Sequence, residues 1–234
     1  MKIIVPLAGP DFQLPDGSVK AEIDIGGAPL LRRALETRSW RRRRTVADVD
    51  YVFVLRDSAP SRRFAAEKLA AWHPGSRAVF LSAFAQGAAM SAMAGLSLFA
   101  HVDEPICVEL ADILFDEETD PLAEFSDPSV GALGLTLRSD NPAYSYLRRD
   151  EDGRVVEAVE KRAVSTEASA GVYFFRSPAV YLRACAHLLG RDEYLHQSLY
   201  YVCPLFNGVL AQGLDVRALP VENVRDLKVE PMRD

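Results

Sequence analysis

The chain has 234 residues, of which 49% are apolar and 26% are charged, and its formal net charge is -6. This composition is typical of a folded globular protein, and the negative charge argues against a general nucleic-acid binder, because a phosphate backbone favours a basic surface. No apolar run approaches the ~20 residues that span a bilayer, and "MKIIVPLAG" turns polar too soon for a signal peptide. We therefore expect one cytoplasmic domain over residues 1–234, without a nucleic-acid or membrane partner.

The first half of the chain alternates short apolar runs with helical patterns. We predict strands at residues 2–8, 50–56, 77–82 and 105–112, and helices at 28–40, 60–72 and 86–100. A run such as "DYVFVLR" is continuously apolar, as in a strand that is buried on both faces. Strands that alternate with helices of this length indicate parallel β–α–β units in an open sheet.

The pattern changes after Asp140. Extended segments on either side of Asp152-Gly153 predict an antiparallel hairpin insertion over about residues 143–162. Beyond it we predict strands at 169–175 and 215–221 and helices at 177–190 and 199–213. The predicted fold class is α/β: a Rossmann-like, mostly parallel central sheet flanked by helices, with one antiparallel hairpin.

The residue types that often mark metal or nucleic-acid sites show no such pattern here. The three cysteines lack a C-x-x-C pair and lie in apolar surroundings, which predicts buried free thiols in a reducing compartment. The four histidines have no metal-ligand spacing. The arginine run at 41–44 is interpreted as a helix-end or solvated cluster, with a phosphate or RNA patch as the alternative.

The loop after the first predicted strand has residues that suit a phosphate site. A chain that leaves a parallel strand exposes backbone N–H groups, and glycines permit the turns that direct them at phosphate oxygens. The available glycines are Gly9, Gly17, Gly26 and Gly27. Lys20 adds a positive charge. The same glycines are equally compatible with an ordinary surface loop.

A second candidate is "AQGAAMSA" at residues 85–92, at the start of a predicted helix between two strands. The Gln86 amide offers a donor and an acceptor that match the edge of a nucleobase. Gly87 would let a flat base approach the backbone. From the residues alone, a tightly packed small-residue helix explains this segment better.

The segment "VELADILFD" ends the fourth predicted strand in an acid. Asp112 would lie just beyond the carboxyl end of a buried strand, where open α/β sheets bind ligands. A carboxylate at this place suits Mg²⁺, which prefers one or two carboxylates together with substrate phosphates. A helix or turn cap is the alternative. Asp116, Glu117 and Glu118 are interpreted as solvated loop acids.

Several short segments occur in an order and spacing that match a known family. They are "LAG" at 7–9, "VKAEIDIGGAPLL" at 19–31, "QGAA" at 86–89, "ADILFD" at 111–116, "VEK" at 159–161 and "AGVYFF" at 170–175. Over nearly its whole length the chain resembles the sugar-nucleotidyltransferases, glycosyltransferase-A-like enzymes that activate a phosphorylated sugar or alcohol with a nucleoside triphosphate. The tail "YYVCPLFNGVLAQG" is similar to the capsular-polysaccharide branch of this family.

The resemblance implies Mg²⁺ as cofactor, and a nucleoside triphosphate and a phosphorylated small-molecule acceptor as partners. It also assigns roles to particular positions. The implied nucleotide-binding residues are Leu7, Ala8, Gly9, Gln86 and Gly87, the catalytic residues Lys20 and Asp112, the acceptor-binding residues Glu160, Lys161 and Gly171, and the metal ligands Asp112 and Asp226. The segment around Asp226 lacks the family's glycine and threonine.

The acceptor-side pair comes with a geometric condition. In a strand, successive side chains point to opposite faces, so Glu160 and Lys161 can serve one site only if the strand bends or ends there. The alternative is an exposed pair of neighbours that contributes little.

The first loop departs from the family pattern. Asp11 stands where the family has a glycine and Gln13 where it has an arginine, and Pro10 removes one N–H donor. Asp11 would repel a triphosphate unless a metal ion or Arg32 and Arg33 offset its charge. Loss of an arginine can cost on the order of several kcal/mol of transition-state stabilisation.

Two functions stay open at this stage. The first is a nucleotidyltransferase that transfers a nucleoside monophosphate to a sugar phosphate or related acceptor and releases pyrophosphate, with Arg32, Arg33 or Arg56 replacing the lost arginine. The second is a catalytically weakened relative that binds a nucleotide or sugar phosphate. A glycosyltransferase is disfavoured, because Asp112 is not part of a D-x-D pair. The base, the acceptor and the existence of a homo-oligomer stay open.

Overall fold

The computed structural model describes residues 1–43, 45–117 and 120–226. For residue 226 the description covers the backbone alone. In the described ranges a nine-stranded sheet forms the centre, and two further pairs of strands form short ribbons. The strands are β1 (Lys2–Leu7), β2 (Tyr51–Arg56), β3 (Arg77–Leu81), β4 (Ile106–Glu109), β5 (Ile113–Asp116), β6 (Val130–Arg138), β7 (Ser145–Arg149), β8 (Val155–Glu160), β9 (Glu167–Phe175), β10 (Leu195–His196), β11 (Leu199–Tyr200), β12 (Asp215–Pro220) and β13 (Glu222–Asp226).

The sheet order is β12-β6-β9-β4-β1-β2-β3, with the β7–β8 hairpin attached to β9. Neighbouring strands along this order are parallel except at β9, which runs antiparallel to both β4 and β6. The hairpin strands are antiparallel to each other and lie within the predicted range 143–162. The predicted fold class, a mostly parallel α/β sheet with an antiparallel hairpin, is confirmed.

Helices cover both faces of the sheet, and each face has its own apolar core. They are α1 (Leu30–Glu36), α2 (Ser39–Arg42), α3 (Ala59–Phe64), α4 (Ala70–Trp72), α5 (Ala88–Leu96), α6 (Pro178–Leu188) and α7 (Leu205–Leu210). A π-helical turn at Ala65–Leu69 joins α3 to α4. One core includes side chains of α1 to α3 and the other those of α5 to α7, so the central strands are buried on both sides, as their apolar runs predict.

Two predicted helices end differently from their sequence patterns. The predicted helix at 28–40 breaks at Arg38, whose backbone is extended (φ -65°, ψ 139°) and whose buried side chain bonds to the sheet. The predicted helix at 199–213 contains only α7, because Leu199–Tyr200 pairs with Leu195–His196 instead. In both places contacts from elsewhere in the chain override the local helical preference.

Strand β6 has no counterpart in the sequence prediction, although it is nine residues long. Its glycines are weak strand formers. A Cβ at Gly131 would lie 2.6 Å from the Leu214 side chain, and one at Gly134 would lie 3.0 Å from the Phe206 ring. The glycines therefore permit close packing against the neighbouring elements, a need that a single sequence does not reveal.

The cysteines and the arginine run are placed as the sequence indicates. Cys107, Cys185 and Cys203 are buried free thiols. Arg41 and Arg42 end α2, with Arg41 paired to Asp48, and Arg44 lies outside the described residues. As a separate finding, none of the helices in the described ranges is long and apolar enough to cross a membrane.

Candidate active site

The loops that carry most of the predicted site residues leave the sheet at one edge. Strands β4, β1, β2 and β3 are adjacent and parallel, with Leu7 opposite Leu55 and Arg56 opposite Leu81. Their carboxyl ends therefore lie side by side, which is where ligands bind in open α/β sheets. The segments at this edge contain Leu7, Ala8, Gly9, Gln86, Gly87 and Asp112.

Asp112 lies just beyond the carboxyl end of β4, as predicted, in a turn at residues 109–113 that we call the Asp112 turn. Asp112 is largely buried, with 9% of its surface exposed. Gly171 of β9 lies next to it, since a Cβ built on Gly171 would be 3.5 Å from Asp112 Oδ1. Ala111 has φ 55°, a left-handed conformation that is uncommon for alanine. An unusual turn, and not a regular strand, orients the Asp112 carboxylate.

A buried ion pair adjoins this turn. Arg38 and Glu109 are 1% and 0% exposed, and Arg38 Nη2 lies 2.6 Å from Glu109 Oε1. The same nitrogen donates to the Ile113 carbonyl at 3.1 Å, and the guanidinium lies 3.7 Å from the centre of the Phe115 ring. Burial raises the pKa of Glu109, and Arg38 opposes this rise. Sequence reasoning missed the pair, although a glutamate within the apolar run "ICVEL" indicates a buried acid that needs a partner.

The acids that follow the Asp112 turn are not all solvated. Glu117 is buried, with 4% exposed, and its Oε2 accepts a hydrogen bond from the Ser39 N–H at 3.3 Å. The interpretation of Glu117 as a solvated loop acid was therefore wrong, because the start of α2 supplies a donor that compensates its burial. Asp116 is exposed as expected, and Glu118 lies outside the described residues.

The first loop, residues 8–19, is anchored through two of its unusual residues. Phe12 is buried and packs edge-to-face on Phe64, with ring centroids 5.9 Å apart. Gln13 donates from its amide to Ser58 Oγ, and the same oxygen caps α3 by accepting from a backbone N–H. Gln13, which stands where the resembled family has an arginine, therefore holds the loop to the start of a helix.

Asp11 and Lys20 are bonded to each other. Lys20 Nζ donates to Asp11 Oδ2 at 3.1 Å, and their side chains are 21% and 67% exposed. A Cβ on Gly9 would lie 2.8 Å from Asp11 Oδ1, so the carboxylate folds back over the glycine turn. The lysine predicted to contact phosphates is thus paired with Asp11, the acid that stands where the resembled family has a glycine.

The arginines considered as replacements also have partners. Arg33 donates to two loop carbonyls at 3.0 and 2.7 Å. Arg32 pairs with Glu36 on the surface of α1 at 2.9 Å. Arg56 ends β2 at the ligand edge of the sheet and donates to the Leu81 carbonyl at 2.8 Å. A phosphate-binding role for any of them requires that it exchange or share these bonds.

The predicted base-binding segment is bonded to the β10–β11 ribbon. Gly87 starts α5 with φ 99°, and a Cβ there would lie 2.2 Å from the Tyr200 carbonyl oxygen. The Gln86 carbonyl accepts from the Tyr200 N–H at 3.0 Å, and its exposed side-chain amide donates to the Ser198 carbonyl at 3.1 Å. The close approach of a neighbouring backbone therefore explains why this position requires glycine, independently of any base.

A cavity of about 760 Å³ opens beside the β7–β8 hairpin, and both Glu160 and Lys161 line it. Strand β8 ends at Glu160, and Lys161 takes φ 50°, so the alternation of a regular strand stops at this pair. Tyr194, His196 and Asn207 contribute to the lining from the segments before and within α7. The strand therefore ends where the prediction requires it, and the acceptor role of the pair stays a prediction.

The contacts of this pair connect the cavity to the base-side segment. Ser145 Oγ donates to Glu160 Oε2. Lys161 Nζ lies 3.4 Å from the Tyr201 hydroxyl and 5.1 Å from the centre of its ring. Tyr201 directly follows the ribbon that bonds to Gln86. The ribbon thus links the predicted nucleotide side to the predicted acceptor side.

The structure does not bring every predicted residue into that cavity. Asp112, Lys20 and Gln86 are not among its lining residues. Within the described ranges, no group of three His, Cys, Asp or Glu side chains could hold a metal ion by itself. The backbone of Asp226 lies on β13 and pairs with Ile113, the last residue of the Asp112 turn. The side chain of Asp226 lies outside the described part of the chain.

Comparison with known proteins gives matches among solved structures alone. No family model matches the chain, and no curated protein sequence matches it. A nucleoside-diphosphate-sugar pyrophosphorylase from Vibrio cholerae RC9 is 19% identical, with a TM-score of 0.78 over 97% of this chain and 95% of its own. A candidate glucose-1-phosphate thymidylyltransferase from Bacillus anthracis, in complex with a sucrose, is 17% identical, with a TM-score of 0.74 over 97% and 89%.

A UDP-glucose pyrophosphorylase complexed with UDP-glucose is 16% identical, with a TM-score of 0.65 over 94% of this chain and 90% of its own. The likeness to all three covers almost the full described architecture. The chain therefore has the sugar-nucleotidyltransferase fold. At these identities the likeness carries the fold and not the substrates.

Proposed function

We propose that the protein is a nucleotidyltransferase that transfers a nucleoside monophosphate from a nucleoside triphosphate to a sugar phosphate or related phosphorylated acceptor. The fold supports this reaction class. The observation that carries the proposal is the end of β8 at Glu160, where the left-handed Lys161 stops the strand and both residues border one cavity. An acid and a lysine in one cavity match an acceptor that has both hydroxyls and a phosphate.

In the proposed reaction an oxygen of the acceptor phosphate attacks the α-phosphorus of the triphosphate. The bond between that phosphorus and the oxygen that bridges to the β-phosphate breaks, and pyrophosphate leaves with the negative charge. Such a transfer needs positioning and charge neutralisation more than covalent help from the protein. The chain's own residues therefore act by holding the two phosphates in line and by offsetting their charge.

On the nucleotide side, the glycine turn at Gly9 would direct backbone N–H groups at the phosphates. Lys20 would exchange its bond to Asp11 for bonds to phosphate oxygens, a step that is feasible because the pair is partly solvent-exposed. On the acceptor side, Lys161 would bind the phosphate and Glu160 the hydroxyls. Gly171, the third predicted acceptor residue, lies beside Asp112 and does not line this cavity, so it would act only where the acceptor reaches the Asp112 carboxylate.

Mg²⁺ is the proposed cofactor, and the Asp112 carboxylate at the ligand edge of the sheet supports this choice. Asp112 provides one carboxylate, and Asp226 is the proposed second ligand from the strand that pairs beside it. Mg²⁺ prefers one or two carboxylates completed by substrate phosphates and water, which agrees with the lack of a larger acid or histidine cluster in the described ranges. When bound, the ion would neutralise charge on the phosphates.

The test is pyrophosphate release with each of the four nucleoside triphosphates against sugar phosphates and phosphocholine. Glu160→Gln and Lys161→Met should raise the acceptor KM by at least about tenfold and leave nucleotide binding nearly unchanged. The matched controls are Glu67→Gln and Lys68→Met, an adjacent and exposed acid–lysine pair on the π-helical turn. Equal effects from both pairs, or no pyrophosphate with any combination, would reject the proposal.

A second candidate is a protein of this fold that binds a nucleotide or sugar phosphate with little or no turnover. The bond between Asp11 and Lys20 favours it, because an acid occupies the lysine that would neutralise the phosphates. Saturable binding in titration calorimetry, together with no pyrophosphate release in the same panel, would support this function over the first.

We further propose that the 234 residues form one cytoplasmic nucleotidyltransferase domain that supplies an activated metabolite for polysaccharide synthesis. The similarity of the tail at 200–213 to the capsular branch supports this assignment. Identification of the best acceptor in the substrate panel tests it, since a sugar or polyol phosphate is expected and phosphocholine would contradict it.

A further inference from the structure

Arg38 contacts the Asp112 turn on both of its sides. Its Nε donates to Glu109 Oε1 at 2.7 Å, and its Nη2 donates to the Ile113 carbonyl at 3.1 Å. Glu109 ends β4 and Ile113 begins β5, so the two contacts bracket Asp112. A planar guanidinium fixes the relative position of two acceptors better than a flexible ammonium can.

The α2 segment adds a second attachment beyond the same turn. The Ser39 N–H donates to the Glu117 carboxylate at 3.3 Å, and Arg42 Nη2 donates to the Glu117 carbonyl at 3.1 Å. Arg38 directly precedes α2, where the chain breaks between two helices. One short segment therefore holds the chain before Asp112, at Glu109, and after it, at Ile113 and Glu117.

The turn needs such support because its backbone is unfavourable. Ala111, immediately before Asp112, has φ 55°, a conformation that L-residues other than glycine rarely adopt. Residues held in such conformations persist when the surrounding structure determines them, and they are concentrated at functional sites. Here the surrounding contacts include the buried bonds of Arg38 and the bond from the Leu110 N–H to the Gly171 carbonyl at 2.9 Å.

We propose that Arg38 is a positioning residue, which sets the Asp112 carboxylate in the orientation that binds a divalent cation. This inference rests on the proposed function, in which Asp112 holds Mg²⁺. Arg38 does not touch the cation or the substrate; it acts through the turn. Glu109 keeps the guanidinium in place and balances its charge in the apolar interior.

The direction of the change in cation affinity distinguishes this positioning role from a direct effect of the Arg38 charge. A buried positive charge near a cation site opposes cation binding, so removal of Arg38 by itself would strengthen binding through electrostatics. Loss of the bracketing contacts would weaken binding through geometry. The two explanations therefore predict opposite changes for Arg38→Met.

The experiment measures Mn²⁺ binding by water proton relaxation, with Mn²⁺ alone and with Mn²⁺ plus inorganic pyrophosphate, and the melting temperature of each variant. Arg38→Lys and Arg38→Met should each weaken Mn²⁺ binding by about tenfold or more, the usual effect of losing a residue that orients a metal ligand. The double variant Arg38→Met with Glu109→Leu replaces the buried pair by apolar side chains and should keep a melting temperature close to that of the native protein. Its Mn²⁺ affinity should nevertheless stay about tenfold reduced.

The control is Arg183→Met on the exposed face of α6, which should change neither quantity. Native Mn²⁺ affinity in the folded Lys or double variant would overturn the proposal, and so would failure of all three Arg38 variants to fold, because Arg38 would then be a stabilising residue alone. Asp112→Asn separates this proposal from the proposed function. Unchanged Mn²⁺ binding in Asp112→Asn rejects the metal role of Asp112, whereas its loss, with native binding in the Arg38 variants, rejects the role of Arg38 alone.

Discussion

The Asp112 turn and the first loop lie at the same edge of the sheet, but they are held in different ways. The Asp112 turn is fixed by a buried ion pair whose members are almost wholly inaccessible. The first loop is anchored by Phe12 and Gln13, while its charged residues, Asp11 and Lys20, form an exposed pair. A buried ion pair holds its residues in place, because breaking it leaves an unpaired charge in the interior. An exposed ion pair contributes little to stability, so its members can form bonds to a substrate instead.

This difference suits the tasks proposed for the two regions. A metal ligand has to stay in one orientation, and the Asp112 turn keeps even an alanine in a left-handed conformation. A phosphate-binding loop has to accept and release a highly charged substrate. An internal ion pair that a substrate can displace allows this, at the cost of competition between Asp11 and the phosphates.

The largest expected effect comes from the Asp112 turn. Asp112→Asn removes the charge but not the shape of the side chain, and turnover should fall by about 10²–10³-fold, the scale for loss of one charge-stabilising group. Steady-state pyrophosphate release at saturating Mg²⁺ measures the change. Asp116→Asn, an exposed acid on β5, is the control and should retain activity. Full activity in Asp112→Asn would remove the basis of the comparison.

The second prediction compares Gly171 of β9, which lies beside the Asp112 turn, with Gly17 of the first loop. Gly171 and Gly17 have nearly the same φ, 77° and 83°, so alanine at either should cost about 1 kcal/mol of unfolding free energy through backbone strain. Only at Gly171 would the new methyl group lie 3.5 Å from Asp112 Oδ1, whereas nothing lies within 4 Å at Gly17.

Gly171→Ala should therefore lower kcat/KM by roughly 10- to 100-fold, the scale for a small displacement at a reacting centre, while Gly17→Ala leaves it nearly unchanged. Denaturant unfolding and kinetics on both variants check the two quantities separately. Equal kinetic losses would mean that backbone strain, and not the place beside Asp112, determines the effect.

The contacts that hold these two regions also explain which features could be predicted from the sequence and which could not. Alternating strands and helices predict the sheet, and an acid at the end of an apolar run predicts the position of Asp112, because these signals are local. Arg38 and Glu109 are 71 residues apart, and Gln13 and Ser58 are 45 apart. No periodicity records such pairings, so the bonds that support each region were missed.

The break of the predicted helix at Arg38 has the same origin. Residues 28–40 have a helical pattern throughout, and the interruption becomes necessary only because the guanidinium is directed into the interior at Glu109. The left-handed Lys161 is a comparable case. The sequence shows that Glu160 and Lys161 can share a site only where a strand ends, but it does not show that the strand ends there. Local patterns predict the elements, and long-range polar contacts decide where some of them stop.

The third prediction tests whether Gln13 is a structural substitute. Gln13→Arg introduces the arginine of the resembled family but removes the hydrogen bond from the Gln13 side-chain amide to Ser58, the residue that caps α3. Stability should fall by about 1 kcal/mol, the value of one side-chain hydrogen bond, with a decrease in melting temperature of about 2–4 °C. Differential scanning calorimetry measures this. An unchanged melting temperature with tighter triphosphate binding would contradict this prediction. It would show that an arginine at position 13 can bind phosphate and that the bond from Gln13 to Ser58 does not stabilise the fold.

The smallest effect is expected at the exposed pair, and it addresses the loop chemistry directly. Asp11→Asn keeps the shape of the side chain, removes its charge and releases Lys20 for phosphate oxygens. Because an exposed ion pair contributes at most about 1 kcal/mol, triphosphate binding should tighten by no more than about fivefold. The gain should shrink as salt is raised, since screening weakens both the pair and its replacement.

Isothermal titration with each triphosphate, at low and high salt, measures the gain. Asp16→Asn is the matched control, because Asp16 is an exposed acid of the same loop that bonds to Ser18 and not to Lys20. Tighter binding in Asp11→Asn, with no turnover in the native protein, supports the catalytically weakened relative. Looser binding, together with measurable native turnover, would mean that Asp11 assists the substrate and that the exposed pair is a working part of the site. The Asp112 turn and the first loop would then differ in rigidity but not in catalytic importance.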